Sequence, residues 1–209
     1  MLTAAIAYRE LAARDPQALS QVVALLKQHP YYRQAWRQAM REQRIRPQDE
    51  GLFLFMYAAR WPDDARGTSF HRGDWHFINY PFKPRNQPFT GQLPPPRSPN
   101  IVEAFDQSIQ AVRGNGSAAE RAVALAWVLH LTGDVHQPLH TSALFSTLFP
   151  DGDMGGNSFF VQVGPRGSKK NLHSLWDSLV ITAPDNQSFS PVNAKAGELL
   201  SRPSLSRPA

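Results

Sequence analysis

Apolar positions recur at helical spacing along most of this chain. They first mark out helices over 3–14 (TAAIAYRELAAR) and 16–28 (opening PQALSQVVALLK), the second with Pro16 at its start. Residues 31–44 read as a charged helix studded with aromatics. Residues 50–60, containing LFLFMYAA, are apolar all round and therefore expected to be buried. WPDDAR at 61–66 reads as a turn, and DWHFINY at 74–80 as an extended segment or a single turn. Residues 83–99 are rich in proline and polar side chains, as in a long surface loop. A helix is predicted over 101–113, a link at 114–117, and then a buried helix from Ala122 that ends near Pro138. DGDMGGN at 151–157 is a turn cluster, and SFFVQV at 158–163 alternates like one strand of a small hairpin. Residues 171–179 start a helix with Asn171 or Ser174 as cap. After Pro184 the chain turns to serine and proline, broken by a short helix near 194–200. The pattern is mainly α, with one domain over 1–183 and a Pro/Ser-rich segment over 184–209.

Composition narrows the chemistry. None of the 209 residues is cysteine, so disulfides and thiolate ligands are excluded and any metal must take nitrogen and oxygen. The formal charge of +5 suits an anionic partner. No apolar run is long enough to cross a bilayer. Residues 2–13 carry Arg9 and Glu10 where a signal peptide needs an unbroken apolar core, so the sequence as written is expected in the cytoplasm.

The buried helix is the most informative stretch. His130 and Asp134 lie four residues apart, hence one above the other on one helix face, and an apolar environment is costly for both unless something satisfies them. His140 follows just after the break. Imidazole and carboxylate at this spacing, with a further imidazole beyond the turn, is how a helix presents ligands to zinc. His173 and Asp177 repeat the four-residue spacing on another helix, and Asp63 and His76 lie upstream. One zinc takes about four ligands, so seven suggest a multinuclear site. Two zincs against three aspartates would leave a positive excess that attracts phosphate, and adjacent zincs can acidify water and clamp an in-line displacement at phosphorus.

HLTGDVHQPLH at 130–140, GGN at 155–157, NLHSLWD at 171–177, WHFIN at 75–79 and WPDDAR at 61–66 together resemble the S1/P1 nuclease family of zinc-dependent nucleases and 3′-nucleotidases, relatives of zinc-dependent phospholipase C. The resemblance covers roughly residues 3–180. It implies a helical bundle of the phospholipase C/P1 nuclease type with one small β-hairpin. It also implies one zinc held by Asp63, His76, His130 and Asp134, and a second held by His140, His173 and Asp177. In the family a third zinc uses an N-terminal tryptophan, a histidine shortly after it and the aspartate matched by Asp134. This sequence opens at Met1-Leu2-Thr3 without a WGxxGH segment, so two zinc sites are expected, and the C-terminus looks short. Catalytic roles are implied for Asp63, Arg66 and Asp134, with Arg66 near the scissile phosphate. Substrate-binding roles are implied for Arg66, Phe77, Asn79 and Asn157, with Phe77 stacking on a base and Asn79 hydrogen-bonding to it. The implied activity is endonucleolytic cleavage of single-stranded DNA and RNA, leaving 5′-phosphates, with hydrolysis of 3′-nucleotides as a further activity. Family members are usually exported; a monomer with no protein or membrane partner is expected.

Rival readings are a zinc-dependent phospholipase C and a non-catalytic zinc-binding relative. An HExxH metalloprotease and an HD-type phosphohydrolase are disfavoured because neither motif is present. His136, six residues from His130, falls off the ligand face. His29 and His71 are expected at the surface, Asp64 facing water, and Asp153 supporting its turn.

Overall fold

A computed structural model describes residues 1–86, 88–182 and 185–202. It is mainly helical, with two two-stranded sheets. The chain packs as two compact units that interleave in sequence. Unit 1 comprises Met1–Arg72, Phe105–Gly133 and the described part of Ala183–Ala209; unit 2 comprises Gly73–Ala104 and Asp134–Thr182. The Ser/Pro stretch 203–209 lies outside the described residues.

Unit 1 is all helix. α1 (Leu2–Arg14) packs on α4 (Glu50–Asp64) and α8 (Phe189–Leu200), and α2 (Pro16–Leu26) packs on α4. Asp15 caps α2 by accepting from the Ala18 N–H at 2.9 Å, with Pro16 at the first helical position. The core is α4, whose seven residues from Phe53 to Ala59 are all buried, as an all-apolar helix requires. α8 is tied to α1 by Arg9, which donates to the Asn193 carbonyl at 3.0 Å.

Several element bounds differ from the sequence pattern, each for a local reason. The stretch 31–44 is two pieces, a wide turn at Tyr32–Trp36 and α3 (Arg37–Glu42). WPDDAR is not a turn: α4 runs through Pro62 to Asp64, and the Ala65 N–H still donates to the Trp61 carbonyl at 2.9 Å. A proline removes one helical donor, a tolerable loss near the end of a helix anchored by Trp61, which is 1% exposed. The long central helix, α6 (Ala118–Asp134), starts earlier and ends earlier than its apolar pattern suggests. Its start is set by a capping box, with Glu120 N–H donating to Ser117 Oγ at 3.2 Å and Ser117 N–H to Glu120 Oε2 at 2.8 Å. Pro138 then opens a separate short turn, Pro138–His140. α5 (Ile101–Arg113) has its expected bounds, whereas α8 is longer than the short helix expected near 194–200.

Unit 2 is built on two short strand pairs. The expected hairpin is β3 (Phe160–Gln162) against β4 (Lys169–Asn171), antiparallel. The sequence pattern did not reveal the other pair, β1 (Tyr80–Phe82) parallel to β2 (Ser142–Leu144). Asn171 then caps α7 (Leu172–Asp177), accepting from the Ser174 N–H at 2.7 Å. Buried Asp153 holds the preceding turn, its Oδ1 accepting from the Leu144 N–H at 2.8 Å. No helix among the described residues is long and apolar enough to cross a membrane.

Candidate metal centre

Unit 2 brings five of the seven expected ligands into one chain of contacts. Asp134 ends α6. Its Oδ2 lies 3.0 Å from His76 Nδ1 and 3.7 Å from His140 Nδ1. The far side of the His140 ring faces α7, with Nε2 3.3 Å from His173 Nε2; the two rings stack with centroids 5.0 Å apart. His173 Nε2 is in turn 3.7 Å from Asp177 Oδ2, one helical turn further along α7. The parallel strand pair makes this convergence possible. The N–H groups of Ile78 and Tyr80 donate to the carbonyls of His140 and Thr141 at 2.8 and 2.7 Å, fixing the His76 turn against the His140 turn.

Backbone carbonyls set the tautomer. His173 Nδ1–H donates to the Gly155 carbonyl at 2.8 Å, so Nε2 is the basic nitrogen turned toward His140 and Asp177. That carbonyl can approach because Gly155 has φ +60° and no side chain; a Cβ there would sit 2.4 Å from the Leu139 carbonyl oxygen. The two-glycine turn thus lets the backbone approach closely. Gln137, which sequence reasoning passed over, joins the two halves. Its Nε2 donates to Asp177 Oδ1 at 2.5 Å while its Oε1 accepts from the Leu139 N–H at 3.2 Å. Its place directly before Pro138, where helix turns often need a capping acceptor, was the available signal.

Unit 1 carries the other two expected ligands. His130, 6% exposed on α6, donates through Nδ1–H to the Ala59 carbonyl of α4 at 2.7 Å, which makes Nε2 its basic nitrogen. Asp63, in the last turn of α4, presents a carboxylate oxygen within 4.8 Å of the His130 ligand nitrogen. Arg66 is well exposed, its Nη2 3.7 Å from Asp63 Oδ1.

The donor set suits a divalent cation such as zinc. All donors are imidazole nitrogen or carboxylate oxygen, and ligands about 2.1 Å from a tetrahedral zinc stand about 3.4 Å from one another. The gap of 3.3 Å between His140 and His173 matches that spacing. His140 Nδ1, on the opposite side of the ring, is buried with no hydrogen-bond partner and faces Asp134 Oδ2 at 3.7 Å. Burial is the largest influence on the His140 pKa and lowers it; Asp134 pulls it up, His173 pulls it down, and the net shift is downward. A neutral imidazole is the form that ligates.

The remaining expectations fall as follows. Phe77 and Asn79 are half-buried in unit 2, and Asn79 has φ +54°, a conformation asparagine tolerates better than most residues, so part of its identity is conformational. Asn157 is exposed and donates to the Met154 carbonyl at 3.0 Å. His136, His71 and Asp64 are exposed, Asp64 pairing with Arg60 at 2.8 Å. His29 is not at the surface. It is 2% exposed, stacked on Trp36 with centroids 4.4 Å apart and set edge-on to Trp61, because flanking aromatics supply an apolar slot for its ring.

Parts of the chain are similar in sequence to known nucleases. Endonuclease 5 of Arabidopsis thaliana is 45% identical over 58 residues, 28% of this chain and 17% of its own length. Endonuclease 4 of the same plant is 43% identical over 58 residues, 28% of this chain and 16% of its own. Nuclease S1 of Aspergillus oryzae is 41% identical over 64 residues, 31% of this chain and 18% of its own. The matched stretch is thus under a fifth of each relative's length. The S1/P1 nuclease family model, by contrast, matches residues 1–204, nearly the whole chain, and on that ground the chain belongs to the S1/P1 nuclease family.

Proposed function

We propose that this protein is a zinc-dependent endonuclease that hydrolyses phosphodiester bonds of single-stranded DNA and RNA to leave 5′-phosphates, and that it also removes the phosphate of 3′-nucleotides. The observation that carries the reading is the unbroken run of donors His76, Asp134, His140, His173 and Asp177 within unit 2. In this reading Asp63, His76, His130 and Asp134 hold one zinc, and His140, His173 and Asp177 hold a second. Asp134 Oδ2 faces two imidazoles, those of His76 and His140, so its carboxylate would help to position both ligand groups. Bound zinc supplies Lewis acidity, easing deprotonation of water and offsetting charge that gathers on phosphate oxygens.

The chain's own residues do the rest. The carbonyls of Ala59 and Gly155 hold His130 and His173 in the ligating tautomer, and Gln137 holds Asp177 in place. Arg66 offers a planar fork of donors to phosphate oxygens, and its partner Asp63 sits at a loose 3.7 Å. Phe77 stacks on an unpaired base, a contact available from any base and thus suited to a single-strand reader. Asn79 adds a hydrogen bond to the base edge, and Asn157 lines the rim.

The test is metal analysis of the purified chain, followed by hydrolysis of end-labelled single-stranded DNA and RNA with and without a chelator. The expected result is about two zincs per chain, cleavage that stops with chelation and returns with zinc, and 5′-phosphate ends. Full zinc loading without cleavage of either polymer would sink the hydrolase reading, and cleavage indifferent to chelation would sink the metal.

A further inference from the structure

In unit 1, α5 and α6 are joined by the short link Gly114 to Ser117, whose middle residues are Asn115 and Gly116, the one Asn-Gly pair in the sequence. Both are exposed. The link is tied down on either side of them. The Gly114 N–H donates to the Ala111 carbonyl at 3.3 Å, closing the last turn of α5, and Ser117 is held by the capping box with Glu120. Between these anchors, neither the Asn115 carboxamide nor the Gly116 N–H has a hydrogen-bond partner among the described residues. The two asparagines that precede other small residues are held quite differently. Asn157 Nδ2 donates to the Met154 carbonyl at 3.0 Å, and the N–H that follows it, on Ser158, donates to the Asp153 carbonyl at 3.0 Å. Asn193 lies inside α8, where the next N–H belongs to the helix, and its Oδ1 accepts from Arg9 at 2.6 Å.

A free carboxamide and a free backbone nitrogen in sequence can react with each other. The Gly116 nitrogen adds to Cγ of Asn115 and gives up its proton, the bond from Cγ to the side-chain nitrogen breaks, and ammonia leaves carrying that proton. A five-membered succinimide remains. Water then opens the ring. Addition at Cγ breaks the new Cγ–N bond and leaves aspartate at position 115; addition at the main-chain carbonyl carbon breaks the original peptide bond and leaves isoaspartate. Glycine makes the first step accessible in a folded chain, because no Cβ obstructs the approach and the backbone turns freely. We infer that Asn115 is a site of spontaneous deamidation, with water as the co-reactant, so that the chain passes one way into forms carrying a carboxylate at the entrance to α6. The formal net charge falls by one from +5. The carboxylate of the aspartate product lies near the free N–H groups of the first helical turn, a favourable place for negative charge, so this product keeps the fold. Isoaspartate instead lengthens the main chain by one atom beside the capping Ser117. The reaction uses neither metal nor nucleic acid and stands apart from the nuclease reading.

The test holds the full chain at pH 8 for several days and samples it by isoelectric focusing and by peptide mapping with trypsin. An acidic band should grow with time, and the exchange of one ammonia for one water should be found in the peptide Gly114–Arg121. The same peptide should take up labelled methyl from S-adenosylmethionine in the presence of an isoaspartyl methyltransferase. Gly116→Ala brings a Cβ to 3.3 Å from Glu120 Oε2, the movable end of a side chain, so the fold is kept and the rate should fall about tenfold. Asn115→Gln should abolish the acidic band, because the extra methylene removes the ready five-membered closure. Unfolding the chain in urea should release Asn157 to react while changing the rate at Asn115 less than twofold. A Gly114–Arg121 peptide that stays intact would overturn the inference, as would a rate indifferent to Gly116→Ala. Faster reaction at Asn157 in the folded chain, read in the peptide Ala122–Arg166, would overturn it too, since hydrogen bonding of the attacking nitrogen would then give no protection.

Discussion

His29 offers a quantitative test of how this fold treats a buried titratable group. The Tyr31 N–H donates to His29 Nδ1 at 3.2 Å, so the ring's proton sits on Nε2, where no acceptor meets it. Two forces compete when the ring is protonated. The faces of Trp36 and Trp61 would favour a cation by about 1–2 kcal/mol, while loss of water disfavours it. Burial wins, and the His29 pKa is lowered from 6.5 to about 3. Between those values the unfolded chain binds a proton that the folded chain refuses, so stability rises with pH and falls as the solution is acidified below about 6.5. The linkage amounts to a loss of about 2 kcal/mol at pH 5 and about 3 kcal/mol at pH 4, relative to neutral pH. Replacing His29 with phenylalanine keeps a flat ring against Trp36 and removes the titration. Urea unfolding of the zinc-free chain at pH 7, 5 and 4 then measures the difference in slope between the two proteins. If both lose the same stability on acidification, the ring is protonated in the folded state and the desolvation argument is wrong.

Three further outcomes test the metal centre. Asp134→Ala should lower zinc content at more than one position, because its carboxylate faces both His76 and His140, whereas His136→Ala should leave loading intact; equal losses from both would refute the ligand assignment. Gln137→Ala removes the donor to Asp177 and should weaken zinc affinity about 10–100-fold with the fold retained, measured by competition with a chromophoric chelator. Gly155→Ala meets the Leu139 carbonyl at 2.4 Å and a φ of +60°, so a drop of about 1–3 kcal/mol in unfolding free energy is expected, together with weaker zinc binding through His173. An unchanged melting temperature would show that the turn relaxes at no cost.

Much of this was legible beforehand, because its signals are local. The i, i+4 pairs His130–Asp134 and His173–Asp177 need only helical periodicity, and Asn171 as a cap needs only its position before an apolar run. Other features depend on partners far away in sequence. Nothing near Tyr80 announces a parallel match with Ser142, since strands of three residues carry too little alternation to read. WPDDAR reads as a turn by propensity alone, whereas the burial of Trp61 holds the helix together through Pro62. His29 looked solvated because a polar residue at a helix end usually is; only the tertiary gathering of Trp36 and Trp61 around it makes the slot. The start of α6 is the opposite case, a capping box visible in Ser-Ala-Ala-Glu that apolar periodicity alone overlooks.

The match of Tyr80–Phe82 with Ser142–Leu144 has a bearing on when this protein can acquire its metal. While that long loop is open, the chain can offer a cation only isolated neighbouring pairs, which are weak chelators. Once the two strands zip, His76 and His140 arrive together and binding strength rises in a single step. Zinc capture by unit 2 should therefore follow closure of the backbone rather than guide it, and the rate of loading during refolding would serve as a clock for that late event.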